Sequence, residues 1–70
     1  MKETYFVEGM KCVHCAAHVS EALNNVNGVN KVKVDLANKS VLVFAKRDIP
    51  EEEIEKAITS SGYIFKGKVN

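Results

Sequence analysis

Two cysteines separated by two residues are the part of this sequence best suited to chemistry. Cys12 and Cys15 are the only cysteines of the chain, and they belong to the string Gly-Met-Lys-Cys-Val-His-Cys that begins at Gly9. A disulfide between them would close a loop too short to stabilise a fold by much. The pair therefore indicates either a redox dithiol or a metal site.

Metal ligation is the interpretation that the surrounding residues favour. A closed structural zinc site needs four ligands, and the only histidines that could join the cysteines are His14 and His18. His14 lies between the cysteines and cannot easily reach the same ion. Two soft thiolates on a short loop instead suit a soft monovalent ion in nearly linear coordination, for which Cu(I) is the common biological candidate. We therefore predict a Cu(I) site formed by Cys12 and Cys15, with Lys11 and a helix start offsetting its negative charge.

Four other residues have candidate roles around the thiol pair. Met10 is expected to fill core space rather than to ligate a metal, because methionine is most often a flexible core residue. His14 is either an uninvolved polar residue or a group that tunes thiol acidity or contacts a second molecule. His18 is expected to be a solvated helix residue. Tyr63 either covers a sulfur atom and reaches the loop through its hydroxyl or has a plain packing role.

The elements that position the thiols follow from hydrophobic periodicity, with a period of two indicating strands and a period of 3.6 indicating helices. The predicted strands are 4–8, 29–36, 40–45 and 63–69, and the predicted helices are 15–26 and a second one that opens at 49–51 and stops at Gly62. This βαββαβ order predicts an α+β, ferredoxin-like sandwich, in which a four-stranded antiparallel sheet carries two helices on one face. Cys15 then lies in the first helical turn, where free amide groups and the helix dipole favour thiolate over thiol.

The alternation of apolar and charged residues also predicts which side chains face the helices. In the second strand the inward set is Val32, Val34 and Leu36. The most natural register then turns Leu42 and Phe44 of the third strand inward as well. The outer face of the sheet is left with an apolar patch that we interpret as a surface for self-association or partner docking, formed by Phe6, Val41 and Val43.

Length and composition narrow the class of protein further. The chain has 70 residues, which is room for one domain, 1–70, and 46% of them are apolar. A formal net charge of +1 gives no general basic surface, which argues against nucleic-acid binding. The longest apolar run, 41–45, is far below the roughly twenty residues of a membrane helix, so we expect a soluble, cytoplasmic protein without membrane contact. Paired carboxylates, a Ser-His arrangement and a phosphate loop are absent from the sequence, and we expect no enzyme.

The motif, the length and the predicted topology together resemble the heavy-metal-associated domain family, whose motif is Gly-Met-x-Cys-x-x-Cys. Within it the sequence is similar to bacterial copper chaperones that carry His before the second cysteine, as His14 does, and Tyr after the glycine that follows the second helix, as Tyr63 does. The resemblance implies a cytoplasmic Cu(I) chaperone in which Cys12 and Cys15 bind the metal and Met10 packs below the loop. It also implies transfer by thiolate ligand exchange to a copper-transporting P-type ATPase, to its metal-binding domains or to a copper-responsive repressor.

Other functions remain open at this point. The chain could be an excised metal-binding domain of a P-type metal ATPase, a mercury or zinc carrier of the same fold, or a dithiol oxidoreductase. Lys11 stands beside the first cysteine, where a carboxylate would have favoured a divalent ion. The sequence therefore favours zinc less than copper. We expect a monomer without copper and leave a copper-dependent dimer open.

Overall fold

The computed structural model describes residues 1–69, and it has the predicted βαββαβ order. The elements are β1 (Lys2–Glu8), α1 (Val13–Asn24), β2 (Val29–Asp35), β3 (Ser40–Ala45), α2 (Glu51–Ser60) and β4 (Ile64–Lys68). The strands form one antiparallel sheet in the order β2-β3-β1-β4, so that β1 and β3 are central. The ferredoxin-like fold is therefore confirmed, although Asn70, the last residue of the predicted domain, lies outside the described residues. In residues 1–69 neither helix is long and apolar enough to cross a membrane.

The core lies between the sheet and the two helices. Its best-buried side chains come from β1, β3, the helices and the segment before α2: Tyr5, Val7, Val19, Leu23, Val41, Val43, Ala45, Ile49, Ile54 and Ile58. The helical members recur at spacings of four, as one face of an amphipathic helix requires. Val32 and Val34 of β2 are half-buried and pack against this core, as the alternation predicts.

The predicted orientation of β3 is wrong. Val41 and Val43 are fully buried, whereas Leu42 and Phe44 are half-buried on the opposite face of the strand. The proposed outer patch therefore does not exist in its predicted form, and of its members only Phe6 lies outside, with 42% of its surface exposed.

The cause of this difference is the register of the hairpin between β2 and β3. Val34 pairs with Val41 and Val32 pairs with Val43, and directly opposed residues point to the same face of a sheet. The inward face of β2 thus selects the odd-numbered residues of β3. A shift of one residue would have given the predicted arrangement, because it moves every side chain to the other face.

The prediction that Leu36 faces the helices is also wrong, because this residue belongs to the turn that fixes the register. β2 ends at Asp35, and Leu36 lies in the turn with 36% of its surface exposed, rather than facing the helices. The Asp35 carboxylate accepts hydrogen bonds from the backbone N–H of Asn38 at 3.1 Å and from its side-chain amide at 2.8 Å. Lys39 completes the turn with a φ of 53°, a left-handed conformation uncommon for a residue with a side chain.

Candidate metal site

The loop between β1 and α1 carries both thiols at one end of the sheet. Gly9 ends β1 with a φ of 100°, a conformation that glycine adopts without steric cost. A Cβ atom there would lie 3.3 Å from the ring of Tyr63, so glycine also allows the loop to approach this ring closely. The sequence thus places a sharp turn directly before the two cysteines.

Cys12 and Cys15 are free thiols whose sulfur atoms are 3.7 Å apart. Cys12 is exposed and occupies the N-cap position of α1, while Cys15 is half-buried in the first helical turn, as predicted. The structure brings the predicted pair together on an accessible surface. Within residues 1–69 it forms no cluster of three or more His, Cys, Asp or Glu side chains that could hold a metal ion. The geometry therefore provides two thiol ligands and no closed four-ligand cage.

The end of α2 places Tyr63 against this loop. The N–H of Tyr63 donates to the carbonyl of Ile58 at 3.3 Å, and the N–H of Gly62 donates to that of Thr59 at 3.0 Å. Together with the φ of 91° at Gly62, these bonds form a Schellman cap, which turns the chain sharply out of the helix. Tyr63 follows this cap directly, and its ring closely approaches Gly9 at the start of the thiol loop.

The environment of Cys15 lowers the pKa of its thiol from the ordinary value to about 7. The largest cause is the hydrogen bond from the Tyr63 side chain, followed by one from the Lys11 backbone and one from the Cys12 thiol. Each donor stabilises the charged thiolate more than the neutral thiol. The same contact raises the pKa of the Tyr63 phenol, so the proton stays on the tyrosine. A thiolate is the form that binds metals, and the site provides it near neutral pH.

The first turn of α1 keeps its positive potential available to the thiols. This turn contains no acidic residue, and the Cys12 side chain makes no capping hydrogen bond. Free N–H groups at a helix start act as a partial positive charge that favours nearby anions. Lys11 is exposed beside the loop and adds a full positive charge.

The remaining predicted residues are distributed as follows. Met10 is half-buried and packs against the core, which agrees with the predicted packing role. His14 and His18 are both exposed on α1. The sequence predicts an acidic Cys15 because of the helix start and offers His14 as one group that could tune this acidity, whereas the largest cause in the structure is Tyr63. Sequence reasoning named this tyrosine as one that could reach the loop, yet periodicity cannot show which group its hydroxyl contacts.

Comparisons with known proteins agree with this fold. The sequence pattern of the heavy-metal-associated domain family matches residues 4–63. The copper chaperone CopZ of Enterococcus hirae is 42% identical over 64 residues, which are 90% of this chain and 93% of that protein. A copper-transporting ATPase of Helicobacter pylori is 36% identical over 64 residues, 90% of this chain but only 9% of the ATPase. A solved structure of a CopZ metallochaperone superposes with a TM-score of 0.88 at 36% identity, covering 94% of this chain and all of that one.

The chain belongs to the heavy-metal-associated domain family. The matched region includes the whole loop with both cysteines and extends to Tyr63, the residue that lowers the pKa of Cys15 most. Its sequence and its fold are similar to those of small copper chaperones over nearly the full length of both proteins.

Proposed function

We propose that this chain is a single-domain copper chaperone, spanning residues 1–70, that binds Cu(I) between Cys12 and Cys15. The observation that carries this proposal is the pair of accessible sulfur atoms 3.7 Å apart, with one thiol acidified by its surroundings. Soft thiolate ligands favour soft ions, and a site with only two of them suits Cu(I) better than an ion that needs four ligands. The similarity to copper chaperones over 90% of the chain supports the same metal.

The proposed mechanism is transfer of the ion by ligand exchange. A thiolate of the partner protein joins the two cysteine sulfurs around Cu(I), and one original copper–sulfur bond then breaks. A second exchange moves the ion fully to the partner, and copper remains Cu(I) throughout, so no electron is transferred. The exposed position of Cys12 leaves room for an incoming ligand. This chemistry moves a cargo without changing it, and the protein is accordingly not an enzyme.

The proposed partners are a copper-transporting P-type ATPase, its metal-binding domains and a copper-responsive repressor, which this protein would meet from the cytoplasm. The similarity to a segment of a copper-transporting ATPase supports a partner that contains a domain related to this chain. Charged groups at the rim, Lys11 among them, would then select the partner and set the encounter rate. We propose a monomer in the absence of copper, with dimerisation on copper binding as an outcome to measure.

A second candidate is a metal-binding domain that belongs to a transporter. The match to 9% of a copper-transporting ATPase is the observation that favours it. Both candidates predict the same copper site, and they differ in the direction of transfer. A chaperone gives its ion to the isolated metal-binding domain of an ATPase, whereas a transporter domain receives the ion from a chaperone.

The direct test is a competition for Cu(I) between the anaerobically purified protein and a coloured chelator, repeated with Hg(II) and Zn(II). We expect one Cu(I) per chain, tight enough to withdraw copper from the chelator, and much weaker Zn(II) binding. Tight Zn(II) binding with weak Cu(I) binding would overturn the assignment of the metal. An insulin-reduction assay on the same protein tests the oxidoreductase alternative, and turnover above that of free dithiol would support that alternative instead.

A further inference from the structure

Two histidines lie on the exposed side of α1, close to the thiol pair but separate from it. His14 and His18 are four residues apart in the helix Val13–Asn24, and both are exposed. Side chains at this spacing are neighbours on a helix surface, with Cβ atoms about 5–6 Å apart. Two histidines at the same spacing form the helical part of many zinc sites, because both rings can reach one ion.

We propose that His14 and His18 form a second metal site, a two-ligand clip for a divalent ion such as Zn(II), Ni(II) or Cu(II). Imidazole nitrogen is a ligand of intermediate softness that suits these ions, whereas paired thiolates suit Cu(I). The two sites are therefore selective for different ions although they share one helix. The second site needs no movement of the backbone, because α1 already holds both residues at the required spacing.

The clip is open on its outer side. Within residues 1–69 no third His, Cys, Asp or Glu side chain joins these histidines as a metal ligand. Water or a ligand from another molecule therefore completes the coordination of the bound ion. The surface groove beside His18 includes Glu21, Asn25 and Ser61, whose polar atoms can hold such waters by hydrogen bonds. A site of this kind binds reversibly, and its occupancy follows the concentration of the free ion.

The experiment uses the full chain with both thiols removed, Cys12→Ser/Cys15→Ser, so that the Cu(I) site cannot contribute. Ni(II) and Zn(II) are titrated separately at pH 7.5 by calorimetry, and the histidine rings are followed by NMR. We expect one ion per chain and simultaneous shifts of both rings. In the same background, His14→Gln or His18→Gln lowers the affinity by about tenfold or more, because one ring can no longer chelate.

A matched control keeps two histidines on α1 but separates them. His18→Gln combined with Asn24→His places the second ring on an exposed position ten residues from His14, about 15 Å along the helix axis. This variant is expected to bind no better than His18→Gln alone. Equal affinity in the control and in the parent would overturn the clip, as would shifts confined to one ring. Because the thiols are absent from every variant, failure of this proposal leaves the proposed Cu(I) function untouched.

Discussion

The starts of the two helices are built in contrasting ways. α2 begins after Pro50 with three glutamates in its first turn, Glu51, Glu52 and Glu53. Ile49 and Ile54 stand at the staple positions on either side of this turn, and both are buried in the core. α1 begins at Cys12 with no acidic residue in its first turn, and its corresponding staple positions hold Lys11 and Ala16.

This contrast separates stability from function. Acidic side chains and a hydrophobic staple stabilise the start of α2 and neutralise its positive potential. The start of α1 lacks both devices, so its free amides and its positive potential remain for the thiolates. The start of α2 therefore stabilises the fold, whereas the start of α1 leaves its amide groups free to stabilise the thiolates. Four substitutions test whether the two roles are as separate as this comparison implies.

The largest expected effect is the loss of copper binding when the thiols are removed. Cys12→Ser/Cys15→Ser should abolish tight Cu(I) binding in the anaerobic chelator competition. Its free energy of unfolding should fall by no more than about 0.5 kcal/mol, because neither thiol belongs to the buried core. Serine at the N-cap position of α1 can even stabilise the helix start, since its hydroxyl is a favoured capping group. Tight binding by this double variant would refute the assignment of the site. A large loss of stability would show instead that the start of α1 contributes to the fold.

The second effect is a loss of stability without a loss of copper binding, caused by a substitution at the start of α2. Ile54→Ala removes a fully buried side chain and should lower the free energy of unfolding by about 2–5 kcal/mol in urea denaturation. Cu(I) affinity measured on the folded protein should stay unchanged. Ile54→Val, expected to cost about 0.5–1.5 kcal/mol, provides a milder variant that folds. A change in copper affinity with Ile54→Val would mean that the two helix starts are coupled.

The sequence predicts the elements of this fold well because most of them have a clear period. β2 alternates apolar with charged residues and its inward face is correct, whereas β3 is apolar at every position from 41 to 45 and has no period to read. Its orientation depends on the turn at 36–39, in particular on the left-handed Lys39 and the Asp35–Asn38 hydrogen bonds. Such a turn is recognisable in the structure, but several residue combinations can form it, and composition alone does not specify its length.

In the candidate site, too, one part is predictable from the sequence and another is not. The spacing of Cys12 and Cys15 predicts the ligands because the chemistry of two thiols is contained in the motif itself. The acidity of Cys15 depends on Tyr63, which is 48 positions later in the chain and reaches the loop only through the cap at Gly62. Contacts of this kind come from tertiary structure, and a local pattern can name the candidate residue without fixing its partner.

The third substitution, Tyr63→Phe, tests how much of the acidity of Cys15 comes from outside α1. It removes a hydrogen-bond donor to the thiolate, so the pKa of Cys15 should rise from about 7 toward the ordinary value. Since the folded-state pKa lies below the unfolded one, the Tyr63 contact stabilises the fold above the ordinary thiol pKa. This contribution disappears as the pH falls through about 7.

The measurement is the rate of alkylation of Cys15 against pH, with Cys12 replaced by serine in both proteins. The midpoint of the profile should move to higher pH in the Tyr63→Phe protein. An unchanged midpoint would assign the acidity to the amides of the helix start alone. Phenylalanine keeps the ring that packs against Gly9, so the loop conformation should be preserved.

The smallest expected effect concerns the charge at the two helix starts. The substitution gives the first turn of α1 an acidic residue, as the first turn of α2 already has. Val13→Glu places a carboxylate at the exposed first position of α1, where 75% of the valine surface is accessible. It should stabilise the helix by about 0.3–1 kcal/mol, while its negative charge raises the pKa of Cys15 and weakens Cu(I) binding slightly. The matched control, Glu52→Gln, should lose a similar amount of stability at α2 and leave the alkylation profile of Cys15 unchanged. Both effects should fade in high salt, because the charges are exposed. If the alkylation midpoints of Val13→Glu and of the parent protein are the same at low salt, the absence of acidic residues from the first turn of α1 does not affect the pKa of the thiols.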